Sequence, residues 1–177
     1  MDLALFQPDI PQNTGTLLRF GACLGVPVHI IEPAGFPFSD RSLRRAGMDY
    51  LDGVEIMRHD DWAAFEAWRA ASGRRLVLLT TRAETLYTDL IYRKDDILLC
   101  GQESAGVPPF VHETAAARVR IPMQAGRRAL NVAVAAAMVA GEALRQTGAL
   151  ANGQVSIGEQ ASRDGDCEPD ERGLCRE

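Results

Sequence analysis

Lysine is almost absent from this chain: Lys94 is the only one, beside eighteen arginines. Histidine is scarce as well, with His29, His59 and His112 far apart, and each reads as structural or solvated. The four cysteines, Cys23, Cys100, Cys167 and Cys175, form no C-x-x-C pair and have no histidine at ligand spacing. That argues against zinc, and no metal is expected. Cys23 and Cys100 lie in apolar segments and read as core thiols. The longest apolar stretch, Val132 to Gly141, is about half of what a membrane span needs, so no membrane is expected. The opening MDLALFQPDI carries Asp2 and no basic segment, which argues against a secretory signal. Cytoplasmic residence is the default.

Neither the G-K-[ST] of a phosphate loop nor the G-x-G-x-x-G of a dinucleotide fold occurs. The net charge of −5 at first argues against nucleic acid. Its distribution changes that, because residues 151–177 alone carry −4 and residues 1–150 are nearly neutral. Arginine binds phosphate bidentately and stacks on bases, so an arginine-dominated surface suits RNA. Genomic base composition explains the same usage equally well, and arginine content alone decides nothing.

A chain of 177 residues suits one domain with one core. Leu3–Phe6, Val28–Ile31, Leu76–Leu79, Ile97–Cys100 and Val119–Ile121 read as strands buried on both faces, with Val54–Met57 a weaker candidate. Helix signals alternate with them. Thr16–Leu24 ends at Gly25, Ser39 caps a short helix through Arg45, Asp60 caps a helix closed by Gly73, and Leu130–Gln146 ends near Gly148. Strand and helix in alternation predict an α/β fold, a parallel sheet flanked by helices. Residues 1–150 form this domain. Residues 151–177 are acidic, poor in large apolar groups, and read as a disordered tail.

Three loops beyond strand ends are chemically loaded. PDIPQNTGTLLRF places Asn13, Thr14 and Gly15 at a strand-to-helix joint, with Arg19 on the buried side of the helix that follows. GQESAGVP, after ILLC, carries two glycines that let backbone approach a ligand, and Glu103 is its only carboxylate. IPMQAGRRALN sets Arg127 and Arg128 beside a helix N-terminus, a local positive field suited to phosphate. The next helix is small and apolar nearly all round, so part of its cover is expected from a second subunit.

Five motifs in order carry a resemblance. They are P-x-I-P-x-N-T-G-x-x-x-R from Pro8 to Arg19, HIIEP from His29 to Pro33, and LRRAG-x-DY from Leu43 to Tyr50. G-x-E-x-x-G-x-P from Gly101 to Pro108 and RIPM from Arg120 to Met123, whose loop ends at Asn131, complete the set. Over Leu3 to Gln146 the chain resembles the SPOUT superfamily of RNA methyltransferases. The resemblance is closest to its short tRNA 2′-O-methyltransferases, which act on wobble nucleotide 34, a cytidine or modified uridine. The resemblance implies a deep C-terminal trefoil knot, which the rule against knotted connections would never suggest. It also implies a homodimer packed through the knot helices, and tRNA as partner.

S-adenosylmethionine is the methyl donor so implied, held by Leu79, Gly101, Ile121 and Ala129. The catalytic group so implied is Arg19, Asn13, Glu103 and Asn131, with Arg127 and Arg128 on the substrate RNA. Positions 129 and 133 depart from the family, with alanine where serine is usual; a lost assisting hydroxyl costs about 1 kcal/mol. Arginine is proposed as the family's base, yet a guanidinium stays protonated in proteins, so Arg19 reads as a clamp on phosphate or nascent alkoxide. Methylation of another tRNA or rRNA ribose, and a non-catalytic RNA-binding SPOUT protein, are the alternative readings.

Overall fold

A computed structural model describes residues 1–37 and 53–150. Six strands form one all-parallel sheet: β1 (Asp2–Phe6), β2 (Val28–Ile31), β3 (Ile56–His59), β4 (Leu76–Leu79), β5 (Ile97–Cys100) and β6 (Ala117–Val119). Their order across the sheet is β3-β2-β1-β5-β4-β6. Among the described residues four helices flank it: α1 (Pro11–Leu24), α2 (Trp62–Ser72), α3 (Pro109–Thr114) and α4 (Val132–Thr147). The expected parallel α/β fold is what the chain adopts.

Central strands are apolar because both faces are covered, with buried Asp2 of β1 and His29 of β2 the exceptions. In β1, Leu3 and Leu5 point into the core under α1 and α4, while Ala4 and Phe6 point into the core under α2 and α3. Register ties β1 to both neighbours, Leu5 lying opposite Ile30 of β2 and Cys100 of β5. From these adjacent strands the chain leaves in opposite directions, β1 into α1 on one face and β5 into α3 on the other. Such divergence opens a crevice at the carboxyl ends, the usual ligand position of an open α/β sheet.

Several boundaries differ from the sequence reading. Helix α1 starts earlier, at Pro11, whose fixed φ and missing N–H suit a first helical position. Asn13, Thr14 and Gly15 therefore lie inside its first turn. The cap of α2 is Asp61, not Asp60: its carboxylate accepts from the Ala64 amide at 2.8 Å. Helix α4 starts at Val132 and is capped by Asn131. Strand β3 sits two residues later than expected and β6 two earlier. Cys100 is a core thiol, but Cys23 is exposed near the end of α1. Arg19 is exposed too, because Thr14, Gly15, Leu17, Leu18 and Gly21 take the buried face. The Ser39–Arg45 helix, the LRRAG motif and the tail lie outside the described residues.

Candidate active site

The loops after β4, β5 and β6 enclose a cleft of about 460 Å³, within the range of small-molecule sites. Leu79, Gly101, Ile121 and Ala129 all line it, and so do Asn13, Glu103 and Asn131. Seven of the ten residues expected at the site are thus brought together. Arg127 and Arg128 are exposed in the loop leading to Ala129, outside the lining, and Arg19 is likewise outside it.

The GQESAGVP loop is a tight reversal in which the Gln102 and Gly106 amides and carbonyls bond reciprocally, at 2.9 and 2.8 Å. A Cβ at Gly101 would stand 2.7 Å from the Gly106 carbonyl carbon, and Gly106 has φ 71°. Only glycine fits either place. The loop therefore offers bare backbone to the cleft, a cradle suited to a nucleoside held by main-chain groups. This fits S-adenosylmethionine as substrate, and the residues that would hold it are those four lining positions.

A chain of side-chain hydrogen bonds crosses the cleft. Asn13 Nδ2 donates to Glu103 Oε1 at 3.0 Å, and Asn131 Nδ2 donates to Asn13 Oδ1 at 2.8 Å. Asn131 Oδ1 accepts from the amides of Ala133 and Val134, at 2.9 and 3.3 Å, anchoring the chain to the N-terminus of α4. On the other side, Asp9 accepts from the amides of Glu103 and Ser104, at 3.0 and 3.2 Å. Burial works against the Asp9 charge, but hydrogen bonds from Glu103 and Ser104 outweigh it and hold the carboxyl at about 2. Glu103 moves the opposite way, pushed up by burial and by the Asp9 carboxylate. Buried Cys100 is pushed up to about 12 and stays a thiol.

Sequence reasoning assigned no role to Asp9, Arg82, His112 or Arg120. Arg82, His112 and Arg120 line the cleft. His112 is held below its ordinary value by burial and then by Arg82 and Arg118. Arg120 stands in the RIPM motif, a signal available in the sequence. Asp9 had none, since its partners lie more than ninety residues away.

Comparison with known proteins defines the class. Residues 1–141 match the SpoU rRNA Methylase family, and the chain belongs to that family of RNA methyltransferases. Among its relatives is the tRNA (cytidine(34)-2′-O)-methyltransferase of Beijerinckia indica subsp. indica, 67% identical over 84% of this chain and 93% of that one. The enzyme of the same name from Escherichia coli (strain K12) is 38% identical over 84% of this chain and 94% of its own. A solved structure concerned with 2′-OH methylation of C/U34 on tRNA superposes with TM-score 0.77, at 41% identity over 82% of this chain and 94% of that chain. An AdoMet-bound rRNA methyltransferase from Sinorhizobium meliloti superposes with TM-score 0.73, at 29% identity over 81% of this chain and 55% of that one.

Proposed function

We infer that this chain transfers a methyl group from S-adenosylmethionine to the ribose 2′-hydroxyl of wobble nucleotide 34 of tRNA. The observation that carries the reading is one cleft holding both the glycine-built backbone cradle and the Glu103–Asn13–Asn131 chain. S-adenosylmethionine supplies an already activated methyl, so the protein's work is positioning and removal of one proton. Asn13 and Asn131 fix each other and the helix terminus. Among the described residues Glu103 is the one carboxylate of the lining and the group placed to take a proton. This intact chain favours an enzyme over a non-catalytic RNA-binding descendant, in spite of Ala129.

Substrate RNA meets the arginines around the cleft. Arg58, Arg69, Arg74, Arg75 and Arg145 are each paired with a carboxylate. Among the described residues no ion pair holds Arg82, Arg120, Arg127 or Arg128. Four uncompensated guanidinium groups suit a polyanion better than a single carboxylate.

The active form in this reading is a homodimer. Ala133, Ala136, Ala140 and Ala143 of α4 are buried, yet Val134 and Met138, one turn apart, are exposed. A partner covering that stripe also accounts for Arg19, which is exposed and outside the lining of its own protomer's cleft, and in this reading serves the partner's. The trefoil knot belongs to the same reading. Support comes from Gln146 of α4, which bonds the backbone of Leu90 and Tyr92 in the connection between β4 and β5, so α4 lies beneath that connection. The acidic tail is dispensable for folding, and the enzyme works where tRNA is, in the cytoplasm.

Mapping ribose methylation in tRNA from cells with and without the gene tests the assignment directly. Loss of the methyl at nucleotide 34 is expected; an unchanged map refutes it. In vitro, Arg19→Ala abolishes transfer while binding of S-adenosylhomocysteine and the dimer persist. Arg19→Lys recovers little, because an ammonium lacks the planar two-pronged donor. Mixing Arg19→Ala protomers with Asn131→Ala protomers restores activity if Arg19 acts across the dimer, and restores none if it does not.

A further inference from the structure

The β1–α1 loop carries an acidic residue whose side chain accepts from Glu103, the proposed proton acceptor, and from Ser104 beside it. Asp9 Oδ1 accepts from the Glu103 amide at 3.0 Å, and Oδ2 accepts from the Ser104 amide and hydroxyl. The Asp9 amide in turn faces Glu103 Oε2 at 3.5 Å. Behind Asp9, Gly35 leaves no slack: its amide donates to Pro8 at 2.9 Å, and a Cβ there would stand 3.0 Å from the Asp9 Cα and Cβ. Asp9 therefore cannot retreat from the GQESAGVP loop. Glu103 is gripped from both sides, by Asp9 through the main chain and by Asn13 at the carboxyl.

We propose that Asp9 is a positioning residue for methyl transfer, one that holds Glu103 as the acceptor of the ribose hydroxyl proton. The proposal rests on the functional reading above and adds a residue to it. In the step, the ribose oxygen bonds to the donor methyl carbon, the carbon–sulfur bond breaks, and its electron pair stays on sulfur. The hydroxyl proton passes to the Glu103 carboxylate, so the sulfonium and carboxylate charges disappear together.

Two features make Glu103 the base of the pair. The groups facing it are the carboxylate and amide of Asp9, the Asn13 amide and the Cys100 thiol; Arg82, His112 and Arg120 line the same cleft, but among the described residues none forms an ion pair with Glu103. Asp9 has its own donors and stays ionised, while Glu103 lies deeper and faces that fixed negative charge. Two neighbouring carboxyls in unlike surroundings divide the labour this way: one holds charge, the other becomes the stronger base.

The test first establishes that the wild-type enzyme methylates tRNA and binds S-adenosylhomocysteine, which checks the functional reading separately. The pH dependence of kcat is then compared with the titration of the Glu103 carboxyl, followed by NMR on carboxyl-labelled glutamate. In the wild type, Glu103 should titrate above the ordinary glutamate range and coincide with the acid limb of kcat. Asp9→Asn should move both downward by about one pH unit and lower kcat at neutrality about tenfold, with affinity for S-adenosylhomocysteine unchanged. Asp9→Glu, which keeps the charge, should restore most of the wild-type limb. An unmoved Glu103 midpoint in Asp9→Asn, or activity lost without a shift of the limb, overturns the proposal. If Asp9→Asn does not fold, an ordinary Glu103 titration in the wild type overturns it alone.

Discussion

Two polar networks in this domain are built from similar groups and come to opposite ends. One joins Asp2, His29 and His59 on the α2 side of the sheet. His29 Nε2 hydrogen-bonds Asp2 at 3.1 Å, and its Nδ1 hydrogen-bonds His59 Nε2 at 2.9 Å. Arg74 closes the chain on Asp2, and Trp68 packs over His29 with ring centroids 4.4 Å apart. The other runs from Asp9 through Glu103 and Asn13 to Asn131 and lies open to a cleft. A cation makes the difference. With Arg74 and His29 on it, buried Asp2 is held down to about 2, whereas Glu103 has a second carboxylate for a neighbour and is pushed up. Paired charge gives a support, and unpaired charge gives chemistry.

That contrast breaks most sharply at Asn13. Asn13→Ala cuts the open chain between Glu103 and Asn131, and kcat should fall about 10²–10³-fold, the cost of one preorganised donor. Thermal unfolding should move little, as Asn13 is only partly buried. His59→Ala should do the reverse, costing about 2 kcal/mol of stability in urea unfolding by leaving buried His29 Nδ1 without its hydrogen-bond partner. Turnover per folded molecule should stay unchanged.

Acid sharpens the comparison further. His59 lies below its ordinary 6.5 through burial and then the charge of His29. The unfolded ring therefore takes up protons that the folded ring refuses, so stability is full above that range and falls as pH drops through it. Asp2 adds a second loss as pH falls from 3.8 toward about 2. Denaturation midpoints measured from pH 8 to 3 should decline in those two windows, and His59→Ala should shrink the first to the share of His112.

The strand runs and the α/β class were legible because strands buried on both faces are apolar without interruption. The position of Arg19 was misread as the buried side, although buried Thr14, Leu17, Leu18 and Gly21 leave residue 19 on the outer side of the helix. Helix α3 was not legible, for six residues with Pro109 at the start carry too little periodicity. Seven site residues followed from motifs, but Asp9 acquires its meaning only when β1 and β5 lie side by side. A contact across the sheet leaves no local trace.

Two smaller effects complete the comparison. Arg127→Ala should weaken tRNA binding uniformly and reduce the slope of log affinity against log salt by about 1. No such change should follow from altering the ion-paired Arg145. Ala129→Ser should change S-adenosylhomocysteine affinity by less than about 1 kcal/mol, raising it if the hydroxyl assists a backbone contact; calorimetry measures this directly.

Asn131 both starts the last helix and orients Asn13 near the beginning of the chain. One amide therefore ties readiness for work to the completion of synthesis. While α4 is still inside the ribosomal exit tunnel, its cap is absent, Asn13 Oδ1 lacks its donor, and one wall of the cleft is missing. A chain that ends before α4 lacks both the cap and that wall of the cleft.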